Sequence, residues 1–380
     1  MIGSTDLLIG AEPTAVAQDS RAQAIRRRRN TFRTYPAPTE PMGKMPGAWF
    51  LESGLDQHVP PSLKVFVDWF EQEPDARERF RWALRDSLDE LLDGQRTGRW
   101  AYQHLSKTEK TYLGTAVEVN LTKEFEFAGG DDLDWKIAGH DIDCKFSKDL
   151  GHWEIPMEMY LCDDHDGRQG KANQAALLTW FDDTTSRWAA GLIRITDESL
   201  WWRLDKDGNT VRGYNRDNKR RLAESSAGAV YWLWGGLQTD LPRNLLLQMA
   251  PDARERILSP ELSGQKRVDQ LFRAIQGQIV GRRTVLTVAQ QDDAPKRVRD
   301  ARTVLRREGV LILGHQDAHP AIAAALGLPV PIKGEWIAVR IAPVTETDGR
   351  PFFEMHGRRW ARARDDDPVE NLRMDYRYFK

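Results

Sequence analysis

Between Leu113 and Phe146 the spacing of apolar side chains changes from four to two. Leu113, Val117, Leu121 and Phe125 recur every fourth residue, which marks one face of a helix. Gly129-Gly130 ends that segment. Two short strands are then expected, Asp134–Ala138 and Asp141–Phe146, joined at Gly139-His140. Side chains alternate along a strand, so Ile142, Cys144 and Phe146 turn one way, into a core. Asp141, Asp143 and Lys145 turn the other way. A helix followed by such a hairpin reads as part of an α+β or α/β fold, expected here as a mixed sheet flanked by helices.

The polar face of that hairpin carries chemistry. Asp143 and Lys145 are side by side, Asp134 is on the neighbouring strand, and Glu118 is on the preceding helix beside its apolar stripe. Mg²⁺ prefers hard oxygen ligands and keeps several waters, so one or two carboxylates anchor it. The metal offsets charge on a phosphate and activates a water. A lysine beside it holds the attacking water or offsets the negative charge of the transition state. Asp134 and Asp143 are the expected metal ligands and Glu118 an additional one, direct or through water. Lys145 is the expected electrostatic or water-positioning group. An Asp-x-Lys triplet alone is common on solvated strands. The order helix-borne Glu, hairpin carboxylate, then apolar-Asp-x-Lys is that of the PD-(D/E)xK nucleases, and it points to phosphodiester hydrolysis.

The chain has 380 residues, enough for two domains at about 100–200 residues each. Residues 1–70 read as an N-terminal extension, in part without fixed structure. They lack a sustained apolar period and include Arg26-Arg27-Arg28-Arg29 and the Pro-rich run Tyr35–Pro41. Two readings of it stay open: a solvated arm, or an arm that touches DNA phosphates through its arginines. Leu84, Leu88 and Leu91 or Leu92 have helical spacing that ends near Gly94. Leu177–Phe181 and Trp188–Ile195 read as further strands. Residues 71–234 are the expected nuclease domain. Gly235-Gly236 and Pro242 mark a linker over 235–243.

A second domain is expected over 244–364, followed by a tail, 365–380. Its helices are predicted over Lys266–Gln276, after Arg282, and from Ala294-Pro295 to Arg307, with a stop at Gly309. Val310–Leu313 and Trp336–Ile341 read as strands. Helices followed by a strand pair fit a winged helix-turn-helix. Net charge over the whole chain is only −2, so its distribution matters more than its sum. From Glu261 to Val310 there are eleven lysines and arginines against six acids, a local excess of five positive charges. Lys296, Arg297, Arg299 and Arg302 on the helix after Pro295 are the candidates for DNA contact, the first residues at base edges and the rest at phosphates. Lys107, Lys110 and the Arg216–Arg221 run are candidate phosphate contacts. A solvated basic face is the competing explanation of each.

The residues also carry a resemblance. Asp93–Trp100, Leu105–Thr111, Val117–Leu121, Asp143–Ser147 and Asn215–Leu222 are similar to the NaeI-type type II restriction endonucleases, as are Thr287–Asp293, Lys296–Arg299, Ile312–Asp317, Gly327–Pro331 and Gly357–Trp360. The likeness covers roughly residues 80–360. It implies a PD-(D/E)xK nuclease domain, a C-terminal helix-turn-helix domain of the CAP type, Mg²⁺, and a homodimer with one DNA site cut and a second acting as effector. Glu118, Asp134, Asp143 and Lys145 occupy the family's catalytic positions. Two stretches depart from it. The first ~70 residues have no counterpart, and Asp149–Asn173 is altered and longer, which leaves the recognition sequence open.

Other features bound the function by exclusion. Two cysteines, Cys144 and Cys162, are too few for a disulfide scaffold or a thiolate zinc site, and fit a reducing bacterial cytoplasm. No secretory signal is visible, and no run approaches the ~20 apolar residues of a membrane span. His104, His140, His152, His165, His315 and His356 never take the spacing of a metal-binding helix, and Cys162-Asp-Asp-His165 lacks further partners. Cys144 reads as core. Fourteen tryptophans argue for large cores or an interface. The expected function is Mg²⁺-dependent, site-specific cleavage of double-stranded DNA. The rivals are a nicking or modification-dependent nuclease of repair or defence, and a DNA-binding regulator whose nuclease core is idle.

Overall fold

The computed structural model describes residues 31–160 and 173–372. The arginine run 26–29, Cys162 to His165 and the end of the tail lie outside the described residues. The rest falls into two units. One comprises Tyr35–Asp93 and Arg99–Arg254. The other comprises 31–34, Gly94–Gly98 and the chain from Glu255 onward. Among the described residues no helix is long and apolar enough to cross a membrane.

The first unit is a six-stranded mixed sheet between two apolar cores. Helices α1 (Lys64–Gln72), α2 (Ala76–Leu92) and α3 (Lys107–Phe125) lead into strands β1 (Ala128–Gly129), β2 (Trp135–Ile137) and β3 (His140–Phe146). Strands β4 (Ala175–Asp182), β5 (Arg187–Arg194) and β6 (Tyr231–Trp232) complete the sheet in chain order. Only β3 and β4 run parallel; all other neighbours are antiparallel. The turn between β2 and β3 is Ala138-Gly139, one residue earlier than expected, with both residues at positive φ. That is the backbone a two-residue hairpin needs to match the strand twist.

Strand β4 shows why the sheet has two cores. Every residue of Ala175–Asp182 is buried, as a central strand covered on both faces requires. Leu177 and Phe181 pack with the stripe Leu113, Val117, Leu121 and Phe125 of α3. Ala176, Leu178 and Trp180 pack on the opposite side with Trp49, Trp153 and Ile193. On β3, Ile142 and Cys144 join the helical core and Phe146 packs against it, as the alternation predicts.

Residues 35–63 correct the expectation of a loose arm. Met42, Trp49, Leu51 and Leu63 are buried, and Ser53 bridges to Gly236. Met42 and Leu63 enter the helical core, whereas Trp49 and Leu51, at and beyond a 3-10 turn over Gly47–Trp49, enter the core on the opposite face. The buried side chains of the segment are irregularly spaced, so no period announces them. Gly151 shows how close the packing is: it sits at φ +91°, and a Cβ there would lie 2.2 Å from the Trp49 ring. The stretch 235–243 also packs into this unit. Gln238 and Trp188 exchange backbone hydrogen bonds, and Leu241 is buried.

The second unit packs three helices on an antiparallel sheet. They are α4 (Gly264–Ala274), α5 (Arg282–Ala289) and α6 (Ala294–Leu305), with α7 (His319–Ala325) further on. The strands are β7 (Ile279–Gly281), β8 (Val310–Leu313), β9 (Glu335–Val344), β10 (Phe352–Met355) and β11 (Arg358–Arg362). The first half of β9 lies between β7 and β8, and its second half pairs β11. Helix α6 starts where Asp293 Oδ1 accepts the N–H of Lys296, with Pro295 in the first turn. Gly309, at φ +72°, ends the short 3-10 turn that follows. Val268, Leu271, Phe272, Val285, Val288, Val298 and Leu305 form the buried faces of the three helices.

Candidate functional site

Glu118 is placed by α3, whose start is fixed by a reciprocal cap. Ser106 Oγ accepts the Glu109 N–H at 3.3 Å and Glu109 Oε2 accepts the Ser106 N–H at 2.8 Å. One turn after Glu118, the Thr122 hydroxyl donates to the Glu118 carbonyl at 2.8 Å. It also accepts the indole N–H of Trp135 at 2.7 Å. Trp135 opens β2, directly after Asp134, so this chain of bonds ties the carboxylate-bearing helix to the carboxylate-bearing hairpin. Neither Thr122 nor Trp135 stood out in the sequence, because nothing local distinguishes a positioning threonine from any other helical one.

Asp134 and Asp143 are then brought together across the hairpin. Asp134 Oδ2 accepts the Cys144 backbone N–H at 2.8 Å, which holds it beside Asp143. The Asp143 Oδ2 atom is buried and makes no well-formed hydrogen bond; its close partner is the Lys145 ammonium. Burial, and then the neighbouring Asp134, push the Asp143 carboxyl up to about 7, although Lys145 opposes the shift. Glu118 is also raised, first by burial and then by Asp134, with Lys145 again opposing. For Lys145, burial works against the charge, but Asp143 and Asp134 outweigh it and raise its pKa. Burial pushes the Cys144 thiol up, so it stays protonated in the core and is no nucleophile.

Asp141 shares the strand face with Asp143 but is used elsewhere. Its carboxylate accepts the N–H groups of Asp131 and Asp132 at 3.1 and 2.8 Å and shapes that loop. Lys107 is exposed on the first turn of α3. Lys110 instead donates to the Gln103 carbonyl at 3.2 Å and lies over the Tyr102 ring, which commits it to the fold.

A sequence model of the family described as Restriction endonuclease NaeI matches residues 64–371. The chain is also 43% identical over 316 residues to the Type II restriction enzyme NaeI of Lentzea aerocolonigenes, a match spanning 80% of this chain and 91% of that protein. The chain belongs to the NaeI family of restriction endonucleases. Membership makes it a restriction endonuclease of type II. The first 63 residues precede the NaeI match, in keeping with the departure seen in the sequence.

A second candidate site of this NaeI-family chain lies in the helical unit. A cleft of about 350 Å³ runs beside α6 and is lined by Lys296, Arg299 and Arg302, together with Arg282, Lys333 and Trp336. Three of the four basic residues singled out on this helix therefore share one surface. Arg297 is not on it; its Nε is buried, and its carbonyl accepts from Gln265. Arg302 also has a structural task, donating to the Ile312 carbonyl at 2.9 Å. Arg282 and Lys333 come from other elements, which no spacing along α6 reveals. Two further cations of the basic stretch are engaged within the fold, Arg267 buried and Arg273 half-buried. Arg267 donates to the carbonyls of Val288 and Ala289 at the end of α5, and Arg273 pairs with Glu308.

Proposed function

We propose that this chain is a Mg²⁺-dependent endonuclease that hydrolyses double-stranded DNA at a specific site, with the PD-(D/E)xK cluster Glu118, Asp134, Asp143 and Lys145 as its catalytic centre. The observation that carries the reading is the meeting of Asp134, Asp143 and Lys145 on one hairpin, with Glu118 within electrostatic reach. The order of elements, helix then hairpin then a parallel strand beside β3, supports the same assignment.

The donor set suits Mg²⁺. It is all oxygen, and two of its carboxylates are raised in pKa by burial and by Asp134. A divalent cation relieves each of these. Among the described residues no group of three His, Cys, Asp or Glu side chains is placed to hold a metal ion, so Glu118, Asp134 and Asp143 do not make a three-carboxylate site in this arrangement. Mg²⁺ does not need one, because it keeps several waters and takes one or two carboxylates. Asp134 and Asp143 would hold the ion, with Glu118 joining directly or through water. Bound there, it would offset phosphate charge and acidify a water. Lys145, held by Asp143, presents a fixed positive charge to the scissile phosphate and orients the attacking water. Asp143 thus serves both the metal and the lysine.

The second unit is assigned to DNA binding. Its α4, β7, α5, α6, β8, β9 succession, with β9 between β7 and β8, supports a winged helix-turn-helix with α6 as the groove helix. Lys296 and Arg299 are exposed on the cleft side of α6 and suit base edges or phosphates of an effector duplex. A homodimer follows if the cut site is a palindrome, since each protomer then meets one half-site.

The test is plasmid cleavage with Mg²⁺, with EDTA, and with a Lys145→Ala protein that still binds DNA. Discrete bands that require Mg²⁺ and vanish in the variant are expected. DNA binding with no strand breaks under any condition would replace the nuclease reading with that of a binding protein, and nicks in one strand only would replace two-strand cleavage.

A further inference from the structure

Strand β5 leaves the sheet close to the catalytic cluster. Asp143 stands beside Ala176 on β4, and Ala176 beside Ile193 on β5. Two inter-strand steps, about 10 Å, therefore separate Asp143 from Ile193. The chain departs from the sheet just beyond Ile193 and builds a two-stranded ribbon, Trp202–Leu204 with Thr210–Arg212. Leu200 and Leu222 at the foot of this excursion share the apolar core with Ala176 and Ile193.

The foot is tied together by buried and half-buried ion pairs, and the tips are exposed. The Arg220 guanidinium is fully buried. It contacts Asp197, donates to the Trp201 carbonyl at 3.0 Å and lies 4.9 Å from the Trp202 ring centre. Arg212 pairs with the same Asp197 at 2.9 Å. At the ribbon tip, Asp205 Oδ1 accepts the N–H groups of Asp207 and Asn209 at 2.9 and 2.8 Å. In the adjoining loop Asn215 Oδ1 accepts those of Asp217 and Lys219, both at 2.9 Å. These turns hold the side chains between them outward.

What they hold outward is both apolar and cationic. Leu204 is 67% exposed and Trp201 46%. Of the lysines and arginines between Arg203 and Arg221, Arg212 and Arg220 are spent on Asp197, while Lys206, Arg216 and Lys219 are exposed. A short free ribbon with exposed apolar side chains is a liability unless something covers it. A major groove admits a two-stranded ribbon, offers phosphates on its rims and thymine methyl groups on its floor.

We propose that the ribbon Trp202–Arg212 and the loop Asn215–Lys219 form the element by which the nuclease unit grips and reads duplex DNA beside Asp143 and Lys145. Lys206, Arg216 and Lys219 take phosphates, and Leu204 meets the groove floor. This rests on the nuclease reading above and extends it to the surface that presents substrate.

The full-length chain and its K206A/R216A/K219A variant are titrated onto a labelled linear plasmid fragment in EDTA, from 50 to 200 mM NaCl. Each phosphate contact contributes about 0.9 to the slope of log K against log salt. The variant's slope is expected to be shallower by about 2.7 with its melting temperature unchanged, and an equal slope overturns the proposal. Should the triple variant fail to fold, Lys206→Gln alone is read, with an expected change of about 0.9. No strand is cut in EDTA, so absence of cleavage in Mg²⁺ would sink the nuclease reading without touching this measurement. A Leu204→Asp protein that sediments as a monomer where the parent is a dimer, with the salt slope retained, would make the ribbon a self-association surface and also overturn the proposal.

Discussion

The Lys145 ammonium meets the buried Oδ2 of Asp143, two residues earlier on the same strand face. Asp143 raises the lysine, and Lys145 opposes the rise that burial and Asp134 impose on Asp143, which stands at about 7 with all of them acting. Lys145→Ala therefore removes more than a side chain near the phosphate. It leaves Asp143 buried without its cation and moves its pKa further up. Cleavage is expected to fall by about 10²-fold or more, the effect of losing one preorganised electrostatic group. DNA affinity is expected to change little. A variant that still cuts within tenfold of the parent in single-turnover assays would contradict this role.

Thr122 offers a test of positioning apart from chemistry. Its hydroxyl joins the Trp135 indole to the Glu118 carbonyl. In Thr122→Val the indole N–H loses its acceptor, and a loss of about 1–2 kcal/mol in stability is expected from denaturant unfolding. Thr122→Ser keeps the hydroxyl and should keep most of the stability. If the bonds also position Asp134 against Glu118, the valine variant will need more Mg²⁺ for half-maximal cleavage while the serine variant will not.

How much of this was legible beforehand follows from periodicity. The stripe of α3 and the alternation of β3 are local properties of the chain, so the helix, the hairpin and the shared face of Asp143 and Lys145 could be read directly. Asp134 needed only the neighbouring strand. The burial of Met42, Trp49 and Leu51 was not legible, because an irregular segment that feeds two different cores has no period. Asp141 shows a related limit: alternation gives its face, but not the loop N–H groups that claim its carboxylate. The same limit applies to cations. Arg267 and Lys296 count equally in a charge census, yet one caps a helix end from inside the fold and the other is exposed on a cleft.

His319 gives the helical unit a pH dependence of definite sign. It is buried, its Nδ1 accepts the Gly314 N–H at 3.1 Å, and burial, with Arg302 nearby, lowers its pKa from 6.5 to about 4. The unfolded chain binds this proton below about pH 6.5 and the folded chain does not until about pH 4. Stability therefore increases with pH across that window and is fully present above it. The contribution at stake is about 3 kcal/mol at the acid end. Denaturant unfolding at pH 4.5, 5.5 and 7 should show the decline toward acid, and His319→Gln should flatten it. An equal decline in the variant would assign the effect to other groups.

Arg302 and its neighbours on α6 separate binding from folding. Lys296 and Arg299 are exposed on the cleft, whereas Arg302 lines it and also donates to the Ile312 carbonyl, fastening α6 to β8. Lys296→Ala and Arg299→Ala should each lower the salt slope of DNA binding by about 1 if they meet phosphates. At a base edge the loss is instead about 1–3 kcal/mol on the preferred sequence and little on others. Their melting temperatures should not move. Arg302→Ala should destabilise the unit by about 1–3 kcal/mol, since a buried carbonyl loses a charged donor. Fluorescence anisotropy across a salt series, paired with thermal melts of the same proteins, reads both effects. A stable Arg302→Ala protein with the full loss of a phosphate contact would reverse the division between them and put all three side chains on the DNA.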